Sequence, residues 1–458
     1  MEEKKVLFYG GTFGACVPII VFVACMITIA VMHMVSLVLF CIAGLVGLCA
    51  ALILVKDKRE FENAVIEGIQ DNTLATIIFA FLLAGVLSQE LRQSGLIQGI
   101  IWLMTVFNLN AAFLPVIAFI CCCLISVATG TSNGAIVAVL PILLPVAASV
   151  GVNTSLMVGA IVSGAIFGDN LAPISDTTIA SALTQEAEVK DVVRTRLPYA
   201  LIAAGCSIVM YVIFGLRMTS NIALPAVADG TDAITLIMLA IPVIMVILML
   251  HGWNLVGTLL VCDMLGVVFC LVFGFIKPSV MVSAEGPLGL GLTSMLNVIC
   301  FCLFMFALLE LLKRSGVFGL LIKKMEAKTK TPRQAELLTI GFEVIGGACI
   351  GAASVSILFV GPVVRKILQK QGIERTRGSN LLDGFGTSLG GLIPYNPMSL
   401  NAVSLALASG AVASSFSFID YIPYLFHSYF LMLLFLLSVI TGIGRRFEKP
   451  EEVNQESK

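Results

Sequence analysis

Charge is what this chain most lacks. Only 12% of its 458 residues are Asp, Glu, Lys or Arg, against about 25% in an ordinary soluble domain. With 59% hydrophobic residues and a mean hydropathy of +1.04, the composition is that of a polytopic membrane protein. A net charge of −1 and no basic domain leave no surface for nucleic acid. Histidine is scarce too. His33, His251 and His427 all fall near expected membrane edges, which argues against a proton relay, and no HExxH motif exists to build a zinc hydrolase. Gly168-Asp169 has no Tyr-Asp partner of the kind an intramembrane aspartyl protease needs. The 13 cysteines show no CxxC or Cys/His spacing. Residues such as Cys121, Cys122 and Cys123 therefore read as small apolar side chains, with neither a disulfide framework nor a metal centre expected. The chain reads as a non-enzyme without a cofactor.

Long apolar runs are present throughout. Runs of about 20 apolar residues predict spanning helices near 12–32, 34–55, 73–91, 197–216, 233–250, 253–276, 290–312 and 420–443. The first run lacks a small-residue cleavage site and is read as retained. Two longer stretches, 111–150 and 334–370, are interrupted by TGTSNG (Thr129–Gly134) and GAASVS (Gly351–Ser356). Two more, 155–185 and 380–410, are broken by GDNLAPISDTT (Gly168–Thr178) and DGFGTSLGGLIPYNP (Asp383–Pro397). Residues 92–108 and 314–332 read as connections at the membrane surface, and Trp102 and Trp253 as interface anchors.

The chain repeats itself at an offset of 221. Ser94-Gly95 matches Ser315-Gly316, Gly130 matches Gly351, Pro141 matches Pro362, Gly151 matches Gly372 and Pro173 matches Pro394. Each half then holds five crossings and one interrupted hairpin, an odd count that inserts the second half upside down. With both termini cytoplasmic, all of the 27 Lys and Arg except Arg92, Arg217 and Lys277 fall inside. The expected architecture is an all-α polytopic membrane protein of two inverted repeats of five transmembrane helices, each with a re-entrant hairpin and a broken helix. Residues 1–217 form the first repeat, 233–446 the second and 447–458 a cytoplasmic tail.

The chemistry concentrates in GDNLAPISDTT. Two carboxylates, an Asn, a Ser and two Thr interrupt an apolar run, where a charge near the bilayer centre costs roughly 2.5–3.5 kcal/mol. Gly168 and Pro173 predict a helix break that frees backbone carbonyls. Carbonyl, carboxylate and hydroxyl oxygens are the ligand set of a hard cation such as Na⁺. Capping offers the plainer reading, with Asp169 and Asp176 as helix caps and Thr129–Asn133 simply closing a turn. The acids are not duplicated: at the same offset Asp169 maps to Gly390 and Asp176 to Pro397. The second half offers hydroxyls and carbonyls instead, from Ser354, Ser356, Thr387 and Ser388, and Gly390-Gly391 leaves room for a close backbone approach. Asp263 reads as a second proton group or an interhelix hydrogen bond, Asp383 is a further proton candidate, and Glu310 and Glu343 read as interfacial.

GDNLAPISDTT, preceded by TGTSNG, resembles the signature of the NhaC-type Na⁺/H⁺ antiporter family, part of the ion transporter superfamily of inverted-repeat carriers. DGFGTSLGGLIPYNP is similar to that family's matching region, where a Pro-Tyr/Trp-Asn turn is usual. The resemblance implies a cation and proton site at Asp169, Asn170, Ser175, Asp176, Thr177 and Thr178, with Na⁺ at Asp169 and Asp176. It implies a hairpin tip at Thr129, Thr131, Ser132 and Asn133, faced by Tyr395 and Asn396, and an elevator-like shift of the hairpin domain. Some members exchange hydroxy or amino acids, so the resemblance leaves the substrate open.

The expected function is exchange of Na⁺ (or Li⁺) for H⁺ across the cytoplasmic (inner) membrane, with proton and cation competing for one carboxylate. The alternative is a Na⁺- or H⁺-coupled carrier of a small organic acid or amino acid. Against it stands the lack of any Arg or Lys expected at depth. The expected partners are membrane lipid, Na⁺ and H⁺; a homodimer is compatible with this reading.

Overall fold

The computed structural model describes residues 5–31, 37–106, 110–173, 175–219, 230–317, 329–351 and 353–448. Among them there is no named strand, only the isolated bridges Phe8–Val55 and Ile373–Phe447. The chain opens with α1 (Gly11–Val31), α2 (Leu37–Leu54), α3 (Lys58–Ile69), α4 (Asn72–Gln93) and α5 (Leu96–Val106). Next, α6 (Leu114–Thr129) and α7 (Ser132–Ser149) are joined by a tight turn at Gly130-Thr131. The halves α8 (Thr154–Leu171) and α9 (Asp176–Gln185) precede the long α10 (Val189–Met218). A 3₁₀ segment, Gly230–Leu239, leads into α11 (Ala240–Leu250), α12 (Leu255–Val272), α13 (Pro278–Met281), α14 (Pro287–Ser294) and α15 (Leu296–Arg314). A second close pair, α16 (Pro332–Ile350) and α17 (Ala353–Gln369), is followed by a second split helix, α18 (Arg375–Gly390) and α19 (Pro397–Ala408). The described chain ends with α20 (Phe418–Tyr421) and α21 (Phe426–Thr441).

Element starts recur at the offset seen in the sequence. α7 and α17 begin at 132 and 353, α8 and α18 at 154 and 375, and α9 and α19 at 176 and 397. The matched glycines have a backbone reason. Gly130 and Gly351 close α6 and α16 with φ of 68° and 75°, a left-handed conformation that side-chain-bearing residues adopt only at a cost. The pairs Gly95/Gly316 and Gly151/Gly372 are left-handed as well.

Six helices among the described residues are long and apolar enough to cross a membrane, or seven if the bent pair Phe418–Tyr424 and Phe426–Thr441 counts as one. Their burial separates inside from outside. Ser132–Ser149 is 78% buried and Thr154–Gln185 89%, against 33% for both Val189–Met218 and Leu255–Val272. Helices α7 and α8 therefore lie in the protein interior. α10 and α12 turn apolar side chains such as Leu201, Val209, Met264 and Val272 outward, as a lipid-facing surface requires.

Several details differ from the sequence expectation. Gly168 lies within α8 and does not break it. A Cβ there would come within 2.3 Å of Ser126 Cβ and 2.5 Å of the Val127 nitrogen, so the missing side chain lets α8 press against α6. The break follows Leu171, where Pro173 cannot continue the ladder. Residues 58–69 form the helix α3, capped by Asp57 through the Arg59 N–H (2.9 Å). The run near 290–312 divides at Met295 into α14 and α15. Most of the tail, His33 and much of the 314–332 connection lie outside the described residues.

Candidate functional site

The break between α8 and α9 is organised by Asp169. This carboxylate, only 4% exposed, sits in the last turn of α8. It accepts a hydrogen bond from Ser132 Oγ at 2.8 Å, across from the start of α7, and one from Ser175 Oγ at 2.6 Å, just before α9. Ser175 and Thr177 share a further contact at 3.0 Å. Three helix ends thus meet on one acid. Asp176 differs: it is exposed, and its Oδ1 accepts the Thr177 N–H at 2.9 Å. Asn170 is fully buried, donates to the Ile166 carbonyl at 3.1 Å and leaves its Oδ1 without a partner among the described residues.

A second acid sits behind the first. Asp383, fully buried on α18, accepts hydrogen bonds from Thr387 at 2.7 Å and from Thr178 at 2.9 Å. It also forms an ion pair with Arg196 of α10. The Arg196 side chain has no exposed surface, and it reaches the Asn170 carbonyl at 2.7 Å and Asn380 Oδ1 at 3.0 Å. It thereby satisfies a carbonyl that the break left without a helical partner. The distribution of bases counts Arg196 with the cytoplasmic side by its charge alone, whereas the fold buries its side chain beside Asp383. A spacing cue was available: Arg194 and Arg196 are two residues apart, so on a helix they point to different faces. Arg194 is exposed and Arg196 buried.

Both turns and both breaks border one cavity of about 550 Å³. Thr131, Ser132, Asn133, Asp169, Asp176, Thr177, Ser354, Thr387 and Asn396 line it, together with Asn72 and Thr76 of α4 and Asn401 of α19. The first residues of four helices face it: Ser132 of α7, Asp176 of α9, Ala353 of α17 and Pro397 of α19. Gly130 and Gly390 bring in the carboxyl ends of α6 and α18. The wall therefore carries four helix starts, two helix carboxyl ends, hydroxyls, amides and two carboxylates, with no basic side chain among the described lining residues.

The remaining candidates are held by local contacts, and of these only Asn396 and Gly390 border the cavity. Thr129 donates to the Ile125 carbonyl at 2.9 Å and Ser388 to the Gly384 carbonyl at 2.7 Å, each within its own helix. Tyr395 donates to the Ala348 carbonyl and braces the second turn. Ser356 packs where Gly346 lacks a side chain. Asn396 accepts the Met398 N–H at 2.9 Å as the cap of α19. A Cβ on Gly390 would meet Asn396 Nδ2 at 3.0 Å and one on Gly391 would meet Ile166 at 2.8 Å, so both glycines serve packing. Asp263 lies apart, on α12, and has no hydrogen-bond partner among the described residues.

Glu343 is fully buried against Gly386, and His427 is fully buried between Phe119 and Phe167. Asn401, Asn72 and Thr76 were missed because isolated amides and hydroxyls in apolar helices carry no motif. Asn401 reaches Asn133 at 3.3 Å and joins the cavity through the fold alone.

The sequence profile of the Na⁺/H⁺ antiporter family matches residues 6–216 and 224–443, nearly the whole chain. The chain belongs to the Na⁺/H⁺ antiporter family. Membership makes it a multi-pass membrane transporter. The Na⁺/H⁺ antiporter NhaC of Bacillus subtilis (strain 168) is 23% identical, over 97% of this chain and 100% of that protein. The malate-2H⁺/Na⁺-lactate antiporter of the same organism is 24% identical over 84% of each. Among solved structures, the Alcanivorax borkumensis YdaH transporter aligns over 85% of this chain and 90% of that one. Its identity is 14% and its TM-score 0.42.

Proposed function

We propose that this Na⁺/H⁺ antiporter family member exchanges Na⁺ (or Li⁺) for H⁺ across the cytoplasmic membrane, bringing protons in, with Asp169 as the group that cation and proton share. The observation that carries the reading is the cavity wall. It holds two carboxylates, hydroxyls and helix-end carbonyls and no base among the described lining residues, a ligand set suited to a small hard cation. Asp383 is the less suitable acid because Arg196 already neutralises it. A cation bound at Asp169 disfavours the proton there and a bound proton disfavours the cation, which is the coupling an antiporter needs. In proteoliposomes, a Na⁺ gradient is expected to drive a pH change inside the vesicle with no organic acid added. Uptake of labelled organic acids without any such pH change would overturn the reading.

A second reading rests on the four helix starts. Each amino end carries roughly half a positive charge, so the same cavity could take a carboxylate once its acids are neutralised. That is a Na⁺- or H⁺-coupled carrier of a small organic acid, a reading compatible with the malate/lactate relative. Uptake of organic acid that itself requires the gradient would favour it.

The recurrence at 221 residues and the distribution of bases support two inverted repeats, with both termini cytoplasmic and the two helix pairs entering from opposite faces. In right-side-out cells, with the native cysteines removed, Asn153→Cys is expected to react with an impermeant thiol reagent added outside and Gln371→Cys to resist it. Labelling of both from one side would break the inversion.

A further inference from the structure

Apart from the cavity, α4 and α12 bury a second pair of acids. Glu90 is fully buried and Asp263 is 8% exposed. None of their four carboxylate oxygens has a hydrogen-bond partner among the described residues. The Glu90 carboxylate lies directly on the backbone of α12: a Cβ on Gly266 would come within 1.9 Å of Oε2. Asp263 stands three residues earlier, one turn along the same helix and on the same face, within electrostatic reach of Glu90.

Among the described residues the surroundings offer no counter-charge, since Arg92, two residues along α4, is exposed and lies against Gly410. The titratable side chains set against Glu90 are Asp263, Cys262 and Cys270, all on α12. Helices α5, α7, α14 and α19 also pack on α4 and carry no ionisable side chain. The ions of α15 are engaged elsewhere, Glu310 with Lys313 and Arg314 with Glu60 and Glu67. Two ionised carboxylates in such a place would bear an uncompensated desolvation cost and repel each other as well.

The fold does not require acids at this crossing. At the offset of 221, α2 and α15 stand to each other as α12 and α4 do and also pack together. There the positions of Asp263 and Glu90 are Ile42 and Leu311, and Gly44 and Gly47 meet Phe304 and Leu308. One crossing is apolar and the other carries two acids. On this geometry we propose that Glu90 and Asp263 form a proton-binding pair, distinct from the Asp169 cavity, that holds a shared proton at neutral pH. Helix α4 also lines the cavity with Asn72, Thr76, Ala80 and Phe81, so one helix carries both sites. The inference does not depend on which cargo the cavity takes.

Infrared difference spectroscopy of the purified full chain in lipid tests it through the carboxylic-acid C=O stretch. Wild type and D169N are expected to show a protonated-acid component at neutral pH that E90Q/D263N loses. A double-variant spectrum that overlays wild type throughout a pH titration would overturn the pair, as would a wild-type spectrum with no acid band. Should the double variant fail to fold, E90Q and D263N singly are each expected to change the band's position or size. A band unchanged in both would overturn the proposal equally.

Discussion

Asp169→Asn is expected to reduce Na⁺-dependent proton movement in proteoliposomes to the level of protein-free vesicles, while the protein still folds and purifies. The amide keeps the shape of the carboxylate, and the Ser132 and Ser175 hydroxyls that now donate to it can turn to suit either end. What disappears is the charge that a cation and a proton would share. Asp176→Asn is expected to do less, because Asp176 is exposed at the first turn of α9 and its bond to the Thr177 N–H survives in Asn. Losing one charge-assisted contact corresponds to roughly a tenfold weaker apparent Na⁺ affinity. Exchange by D169N at the wild-type rate would reduce this acid to a brace for the turn, and a larger loss in D176N than in D169N would move the site.

Arg196→Gln is the second large effect, and it falls on folding. The ion pair with Asp383 has no exposed surface on either side chain, and removing one partner of such a pair costs about 3–5 kcal/mol because it strands a buried charge. The variant also withdraws the donor from the Asn170 carbonyl. In a detergent thermal-stability assay, R196Q is expected to melt well below wild type, with a smaller folded fraction. R196Q/D383N removes both charges and is expected to recover much of that loss. No recovery in the double variant would mean that Arg196 matters through its carbonyl and amide contacts, and that the pairing with Asp383 is incidental. If R196Q instead retains wild-type stability, the pair is dispensable.

Neither effect could have been ranked from the sequence. Asp169 and Asp176 occupy equivalent-looking places in GDNLAPISDTT, and only the fold buries one and exposes the other. The difference comes from helix phase at the break: α8 carries Asp169 inward against the start of α7, whereas Asp176 opens α9. Arg196 looked cytoplasmic because a base near a helix start fits the positive-inside pattern. Glu90 closes an apolar run and Glu343 belongs to no motif, so nothing local marks either acid, yet each is fully buried.

The sequence by itself determined the class, most of the apolar helices and the polar stretches that border the cavity. Apolar length, scarce charge and polar interruptions are local properties, and so is the left-handed backbone that places Gly130 and Gly351 at matched turns. These follow from backbone sterics and side-chain solvation within a few residues. Tertiary structure decided which polar groups meet. Ser132 reaches Asp169 from 37 residues away, Arg196 reaches Asp383 from 187, and Glu90 meets α12 at Gly266. Such pairings depend on how helix faces pack, and no short stretch of sequence encodes the rotation of one helix against another.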